Sequence, residues 1–344
     1  MDLDNLSLFA RLDSQGILGH IDALPDQIET AWALGQALPL PNLSGLTHVA
    51  VCGAGAMATG AAVAASVANP HCRIPLTLHR TEALPAWVAG PHTLVIALSH
   101  TGCDHEPLVA LTQAAERGAR VAAITTGGPL AEACDRAGGA VWAYTHGGPA
   151  STALAFAMAL PLALLSRGSL VPDPADDVAG AVQALRGQQQ RLRAESSVAR
   201  NPAKRMAGQF MDRNVLLFGS GFMAPVARRW REQVAATGKA WAQFEELPDA
   251  LHAGLAGLQY PEALIPKFMA LFLETEFNSP QDQQRLQDAR LLMMTSGFNT
   301  DSVRGVGPSP LAQLLTAAHY GDYVSYYLAM AYETDPRPVE VLER

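Results

Sequence analysis

A chain of 344 residues that is 49% hydrophobic and only 16% charged is globular, with room for two domains that each bury a core. Its net charge of −8 and the absence of any lysine- and arginine-rich run argue against a nucleic-acid partner. Cys52, Cys72, Cys103 and Cys134 lack CxxC spacing, which points away from zinc and disulfides and towards a reducing, cytoplasmic setting. The acidic start Met1-Asp2-Leu3-Asp4 is unlike a signal peptide. In chain order, residues 1–40 read as two amphipathic helices that pack on the domains. Strands are expected at 48–52, 76–79, 93–98, 119–125 and 140–145, with helices at 58–68, 106–117 and 130–137 between them. That alternation demands a parallel sheet with right-handed crossovers. The apolar run 149–165 is interrupted by Pro161 and too short to span a bilayer, so it reads as a buried helix. Residues 168–177, with two prolines and three aspartates, mark a domain boundary, followed by a polar helix at 178–194. In the second half, strands are expected at 214–218, 240–245 and 264–273, and helices at 281–294 and 311–332.

Two segments share one design. Val49-Ala50-Val51-Cys52-Gly53-Ala54-Gly55 and Val215-Leu216-Leu217-Phe218-Gly219-Ser220-Gly221 are apolar runs closed by Gly-x-Gly before a helix. Such a turn brings bare backbone and a helix N-terminus close to a ligand, so two similar α/β halves are implied. The first also fits G-x-G-x-x-A, but the second strand ends in His79-Arg80 rather than the acidic residue that holds a ribose. No cofactor is expected.

A more specific pattern follows the third strand. Ser99-His100-Thr101-Gly102 places two hydroxyls and a flexible glycine before a helix, a way to cradle phosphate without lysine. Thr125-Thr126-Gly127-Gly128 repeats it one strand over, with helix capping as the plainer alternative. His100, His105 and His146 fall near the same pocket, but loop histidines are commonly plain polar residues, and no metal is expected.

These motifs resemble the sugar isomerase (SIS) superfamily, whose Ser-x-Ser-Gly loop holds phosphosugars. The match extends to its bifunctional phosphoglucose/phosphomannose isomerase branch through Asn201-Pro202-Ala203-Lys204, Arg229-Trp230-Arg231-Glu232-Gln233, Lys239, Pro248-Asp249-Ala250-Leu251-His252, Gly321-Asp322-Tyr323 and Asp335-Pro336-Arg337-Pro338-Val339. The resemblance implies an α/β fold of two SIS domains, each a flavodoxin-like, three-layer unit around a parallel sheet, at 41–166 and 201–344, with a linker and helix at 167–200. It also implies a homodimer whose active site lies between domains and is completed by the partner, with a phosphorylated sugar as substrate. The implied reaction interconverts glucose 6-phosphate or mannose 6-phosphate with fructose 6-phosphate through an enediol. Gly53, Gly55, Ser99, Thr101, Gly102, Thr125 and Lys239 are then the expected substrate- and phosphate-binding residues, and His252 the ring-opening histidine.

Several family positions are altered. Ala236 stands where the branch has its glutamate base, and Met57 where a loop serine binds phosphate. Asp104 replaces the loop threonine, where it suits a helix N-cap and can fill the anion site itself. Ala150 replaces an arginine after Pro149, and the position of a further family lysine falls beyond Arg344. Glu232, four residues before Ala236 on the same helical face, is the expected substitute base, with Glu245, Glu246 and Glu106 as other carboxylates to weigh. The alternative function is a lapsed SIS protein that binds a sugar phosphate or related carbohydrate derivative as a regulator.

Overall fold

A computed structural model describes residues 2–337. Pro338 and Val339 of the closing motif lie outside the described residues. The chain forms two compact units: Asp26–Val178 make one, and the residues up to Pro25 join those from Ala179 onward in the other.

Three helices open the chain, α1 (Leu6–Leu12), α2 (Ile17–Asp22) and α3 (Leu24–Ala37), where the apolar pattern suggested two. The extra break falls where Gly16 takes φ +64°, a conformation natural to glycine. The Asp13 carboxylate then accepts from the amides of Ile17 and Leu18 at 2.7 and 3.0 Å and starts α2 afresh.

The first sheet is built from β1 (His48–Gly53), α4 (Gly55–Ala68), β2 (Leu76–His79), β3 (Thr93–Leu98), α5 (His105–Glu116), β4 (Arg120–Thr125), α6 (Gly128–Arg136), β5 (Ala140–Ala143) and α7 (Leu154–Arg167). All neighbours are parallel, in the order β2-β1-β3-β4-β5. Strand β3 is buried along its whole length, as expected of a strand covered on both faces. Helix α7 is buried from Leu154 to Leu165, which accounts for its unbroken apolar run. It lies so close to α4 that a Cβ on Gly60 would stand 2.4 Å from that of Ala157. Among the described residues no helix is long and apolar enough to cross a membrane. The chain turns from one side of β1 to the other between β2 and β3. A crevice therefore opens at the carboxyl ends of β1 and β3, where ligands bind in such sheets.

The second sheet follows α8 (Ala175–Leu192) and α9 (Pro202–Phe210). It comprises β6 (Asn214–Ser220), α10 (Ala224–Ala236), β7 (Ala242–Leu247), α11 (Asp249–His252), β8 (Phe268–Glu274), α12 (Pro280–Thr295), β9 (Asn299–Arg304) and α13 (Pro310–Ala331). The strands are again parallel, in the order β7-β6-β8-β9, so β7 is an edge. Two expectations need correction. The strand expected from residue 264 begins at Phe268, because Glu262–Lys267, which contains Pro266, forms a 3-10 turn. Strand β9 was not anticipated, since its polar, half-buried sequence carries no apolar period.

Helix α13 is the axis of this unit, buried over nearly all of its length. His319 on it donates from Nε2 to the Ile21 carbonyl at 2.8 Å. Burial lowers its pKa from 6.5 to about 4. The unfolded chain therefore binds a proton between pH 6.5 and 4 that the folded chain refuses, and acidification through that window removes stability. This group alone is expected to make the protein about 2 kcal/mol less stable at pH 5 than at pH 7. Urea unfolding at both pH values checks this: His319→Gln keeps a donor and should flatten the difference, and an unchanged pH slope would rule out the assignment.

Candidate functional site

The two glycine-rich loops of the first unit meet at the carboxyl ends of β3 and β4. Gly102 has φ +76°, and a Cβ there would lie 1.9 Å from the Gly127 carbonyl oxygen, so only glycine lets the loops touch. The Leu130 amide donates to the Gly102 carbonyl at 3.0 Å and the Thr126 amide to that of His100 at 2.9 Å, locking the loops together. Gly53 ends β1 and Gly55, at φ +49°, opens α4 beside them. The structure thus brings Gly53, Gly55, Ser99, Thr101, Gly102 and Thr125 to one crevice.

Their polar atoms are differently engaged. The buried Ser99 hydroxyl accepts from the amides of Gly102 and Asp104 at 3.0 and 3.3 Å and donates to Asp104 Oδ2 at 2.5 Å. Asp104 holds the N-cap position of α5, yet its carboxylate accepts this hydroxyl in place of the helix amides expected of a cap. Thr101 is exposed, and its oxygen accepts from the Cys103 amide at 3.3 Å. Thr125 donates to the Gly127 carbonyl of its own loop at 2.8 Å and Thr126 to the His100 carbonyl of the first loop at 2.7 Å, so both hydroxyls are spent on holding the loops.

Met57 is 1% exposed, with its sulfur 3.8 Å from the Tyr144 hydroxyl, so it fills the position where a phosphate-binding serine was expected. His100 is fixed between Tyr144 at Nδ1 (2.9 Å) and the Gly148 carbonyl at Nε2 (3.0 Å), the tautomer that donates from Nε2. Burial lowers its pKa, against the Gly148 carbonyl and the charge of Asp104. His146 bonds Thr152 at 2.8 Å, and His105 pairs with Glu82 at 2.9 Å. Among the described residues no three metal-ligating side chains converge. Ala150 opens a short 3-10 turn beyond β5, and Arg80 donates to Thr59 at 3.3 Å.

The second glycine turn departs from the expected ligand role. Asn278 donates to both oxygens of Ser220 at 3.0 Å, while its Oδ1 accepts from the Phe222 amide at 3.0 Å. An amide side chain of the protein itself thus lies where the bare backbone would meet a ligand.

Most of the remaining motif residues are structural. Arg229, 2% exposed, pairs with Asp322 at 2.8 Å, and Gln233 donates to the other Asp322 oxygen at 2.9 Å. Trp230 donates to the Ala317 carbonyl at 2.9 Å and lies against Gly321, where a Cβ would stand 2.4 Å from the indole. These bonds join α10 to α13. Asn201 caps α9 by accepting from the amides of Ala203 and Lys204. Lys204 reaches Asp4 at 3.0 Å and the Ala194 carbonyl at 2.7 Å.

Glu232, Lys239 and His252 belong to this second unit. Glu232 is half-buried on α10, one turn before Ala236. Lys239, at φ +55°, donates to the carbonyls of Ala236 (2.6 Å) and Arg337, closing the end of α10. Burial lowers its pKa, with Asp335 opposing. His252 ends α11 and is exposed. A cavity of about 900 Å³ opens between α10 and the free edge of β7, lined by Arg228, Arg231, Lys239, Trp241, Gln243 and Glu245 among others. Sequence reading missed this grouping. The spacing of Arg228, Arg231 and Ala235 does mark one helical face, but only the fold shows that the face borders an unpaired strand.

A family model described as the bacterial phospho-glucose isomerase C-terminal SIS domain matches residues 199–344. A bifunctional phosphoglucose/phosphomannose isomerase of Caldicellulosiruptor bescii is 28% identical over 322 residues, covering 93% of this chain and 95% of that protein. One from Aquifex aeolicus is 26% identical, covering 77% and 82%. Among solved structures, a glucose-6-phosphate isomerase like protein from Thermus thermophilus aligns over all of both chains, with a TM-score of 0.67 and 22% identity, a likeness of fold. Residues 199–344 are thus similar to the C-terminal SIS domain of bacterial phospho-glucose isomerases, and the chain as a whole is similar over most of its length to bifunctional phosphoglucose/phosphomannose isomerases.

Proposed function

We propose that the protein is an aldose–ketose isomerase of hexose 6-phosphates, interconverting glucose 6-phosphate or mannose 6-phosphate with fructose 6-phosphate. The observation that carries this reading is the placement of His252. It stands exposed at the end of α11, and among the described residues no hydrogen bond holds its ring, so it is available to shuttle the proton that opens a sugar ring. Its relatives' names supply the reaction class. The base cannot come from Ala236, which has no titratable group. Glu232 is one turn, about 5.4 Å, from that position and serves only if the substrate sits correspondingly displaced. The reading includes a homodimer with a shared site, which light scattering of the purified protein tests. Four free cysteines support a reducing, cytoplasmic setting.

Deuterium incorporation at C2 of glucose 6-phosphate and mannose 6-phosphate in heavy water tests the proton transfer directly. Exchange is expected, and should fall in His252→Ala for the ring-closed sugars. No exchange at high protein concentration would sink the reading.

A second reading has its own support. The Ser99 hydroxyl donates to Asp104, so the hydroxyl that would face a phosphate points at a carboxylate instead. That favours a lapsed isomerase that binds a carbohydrate derivative in a regulatory role. Calorimetric binding of hexose 6-phosphates without C2 exchange would establish it.

A further inference from the structure

On the face of β7 turned away from α10, the second unit holds a smaller pocket. In the parallel register Gln243 lies beside Leu216 and Glu245 beside Phe218. Register neighbours share a face of a sheet, so both polar side chains extend the apolar face on which α12 packs through Leu286, Ala289 and Met293. Phe244 between them turns the other way, under the Arg228 guanidinium, 4.9 Å from its ring centroid. The arginines of the larger cavity therefore stand on the opposite side of the strand from the Glu245 carboxylate.

This pocket measures about 200 Å³ and is bounded by that face, by Met293 and Phe298, and by residues of the segment 254–258. Tyr260, 80% exposed, stands at its mouth. Gln243, Glu245 and the Tyr260 hydroxyl are the polar side-chain groups of a wall that is otherwise apolar. Glu245 is half-buried, and among the described residues no hydrogen bond or cation engages its carboxylate. A Cβ on Gly254 would lie 3.1 Å from Glu245 Oε2, so the carboxylate is laid against a position that has no side chain.

These features select a ligand by shape and by charge. An apolar cavity of roughly 150 Å³ is enough to admit benzene, so the walls accept a body of about six carbons. A carboxylate partly withdrawn from water without a counter-charge gains most from a ligand that supplies one together with N–H donors. Mostly apolar walls with a few placed polar groups are the usual make-up of a small-molecule site.

We propose that this pocket binds a small organic ammonium ion, its apolar body among Phe218, Met293 and Phe298 and its charged nitrogen on Glu245. A neutral molecule of the same shape fits the walls but leaves the carboxylate without a counter-charge, so charge sets the selectivity. The segment 254–258 follows His252 directly, so an occupant also holds the chain behind the exposed histidine.

The test titrates benzylamine and benzyl alcohol, nearly equal in shape, into wild type, Glu245→Gln and Leu258→Trp by calorimetry. Amide hydrogen exchange across 253–258 is followed in parallel. Wild type is expected to bind benzylamine with a Kd of about 1 mM or below, about 10-fold tighter than benzyl alcohol, and to slow exchange in that segment. Glu245→Gln should lose the preference while keeping its affinity for benzyl alcohol. Leu258→Trp fills the pocket and should bind neither. Benzylamine bound equally well by wild type and Glu245→Gln would mean attraction to the surface of a chain of net charge −8, and would overturn the assignment. Undiminished binding by a Leu258→Trp protein that melts at the wild-type temperature would place the ligand elsewhere and overturn it too. So would the lack of saturable benzylamine binding to wild type at about 10 mM, a concentration well above the expected Kd.

Discussion

Replacing Asp322 with alanine is expected to lower the unfolding free energy by about 3–5 kcal/mol, the largest effect of any single substitution considered for this chain. Arg229 and Asp322 are 2% and 5% exposed at their side chains and meet at 2.8 Å. Their second link runs through Gln233, which donates to the other carboxylate oxygen at 2.9 Å. Removing the carboxylate takes the Asp322 charge from a guanidinium held in the interior and that acceptor from the Gln233 amide. The melting temperature of the variant should fall by roughly 10 °C. The control is a double replacement, Arg229→Met with Asp322→Leu, which removes both charges while keeping apolar volume. It should cost clearly less than Asp322→Ala alone, because a buried ion pair is expensive to break but weak when weighed against hydrophobic packing. A loss below about 1 kcal/mol for Asp322→Ala would show that the pair does not hold α10 against α13.

This network bears on how motifs are read. Arg229, Trp230, Gln233, Gly321 and Asp322 are among the residues that most resemble the isomerase branch, and here each is engaged in holding two helices together. Resemblance at these positions can therefore reflect packing between α10 and α13 and does not by itself mark a reacting group.

The parallel architecture was legible because buried strands such as Leu94-Val95-Ile96-Ala97-Leu98 form apolar runs that alternate with helical periods. Strand β9 was not, since Asn299-Thr300-Asp301-Ser302 pairs along one side only and needs little apolar surface. The loop residues of the first unit were legible from their hydroxyl and glycine chemistry. Asp104's partner was not, because a carboxylate at an N-cap can take either the helix amides or a nearby hydroxyl, and only the loop conformation decides. Asn278, 58 residues from Ser220 in sequence, gave no local sign that it fills the second glycine turn. The cavity cations were equally hidden, since their common side depends on which face of α10 borders the edge strand.

The loop of the first unit is where one substitution should change binding most. Asp104→Thr is expected to tighten glucose 6-phosphate or inorganic phosphate binding at that loop by about 10- to 100-fold. The wild-type loop sets the Asp104 carboxylate against Ser99 at 2.5 Å, on the hydroxyl that would otherwise be free to face an anion. One carboxylate charge about 4 Å from one phosphate charge costs on the order of 4 kcal/mol at an effective dielectric near 20. Asp104 is only half-buried and Thr101 beside it is exposed, so solvent screens much of that repulsion. A gain of about 1.4–2.7 kcal/mol is the part expected to survive, which is the stated range in affinity. Threonine at the same position removes the charge, frees the Ser99 hydroxyl as a donor and can itself cap α5. Asp104→Asn separates these contributions, since it removes the charge but keeps an acceptor for Ser99, and it should recover only part of the gain. Calorimetric stoichiometry supplies the decisive readout. One additional phosphate site in Asp104→Thr, absent from wild type, means that this carboxylate closes the loop to dianions. Identical affinity and stoichiometry in the two proteins would mean that the Ser99 loop does not bind phosphate in this chain, whatever occupies position 104.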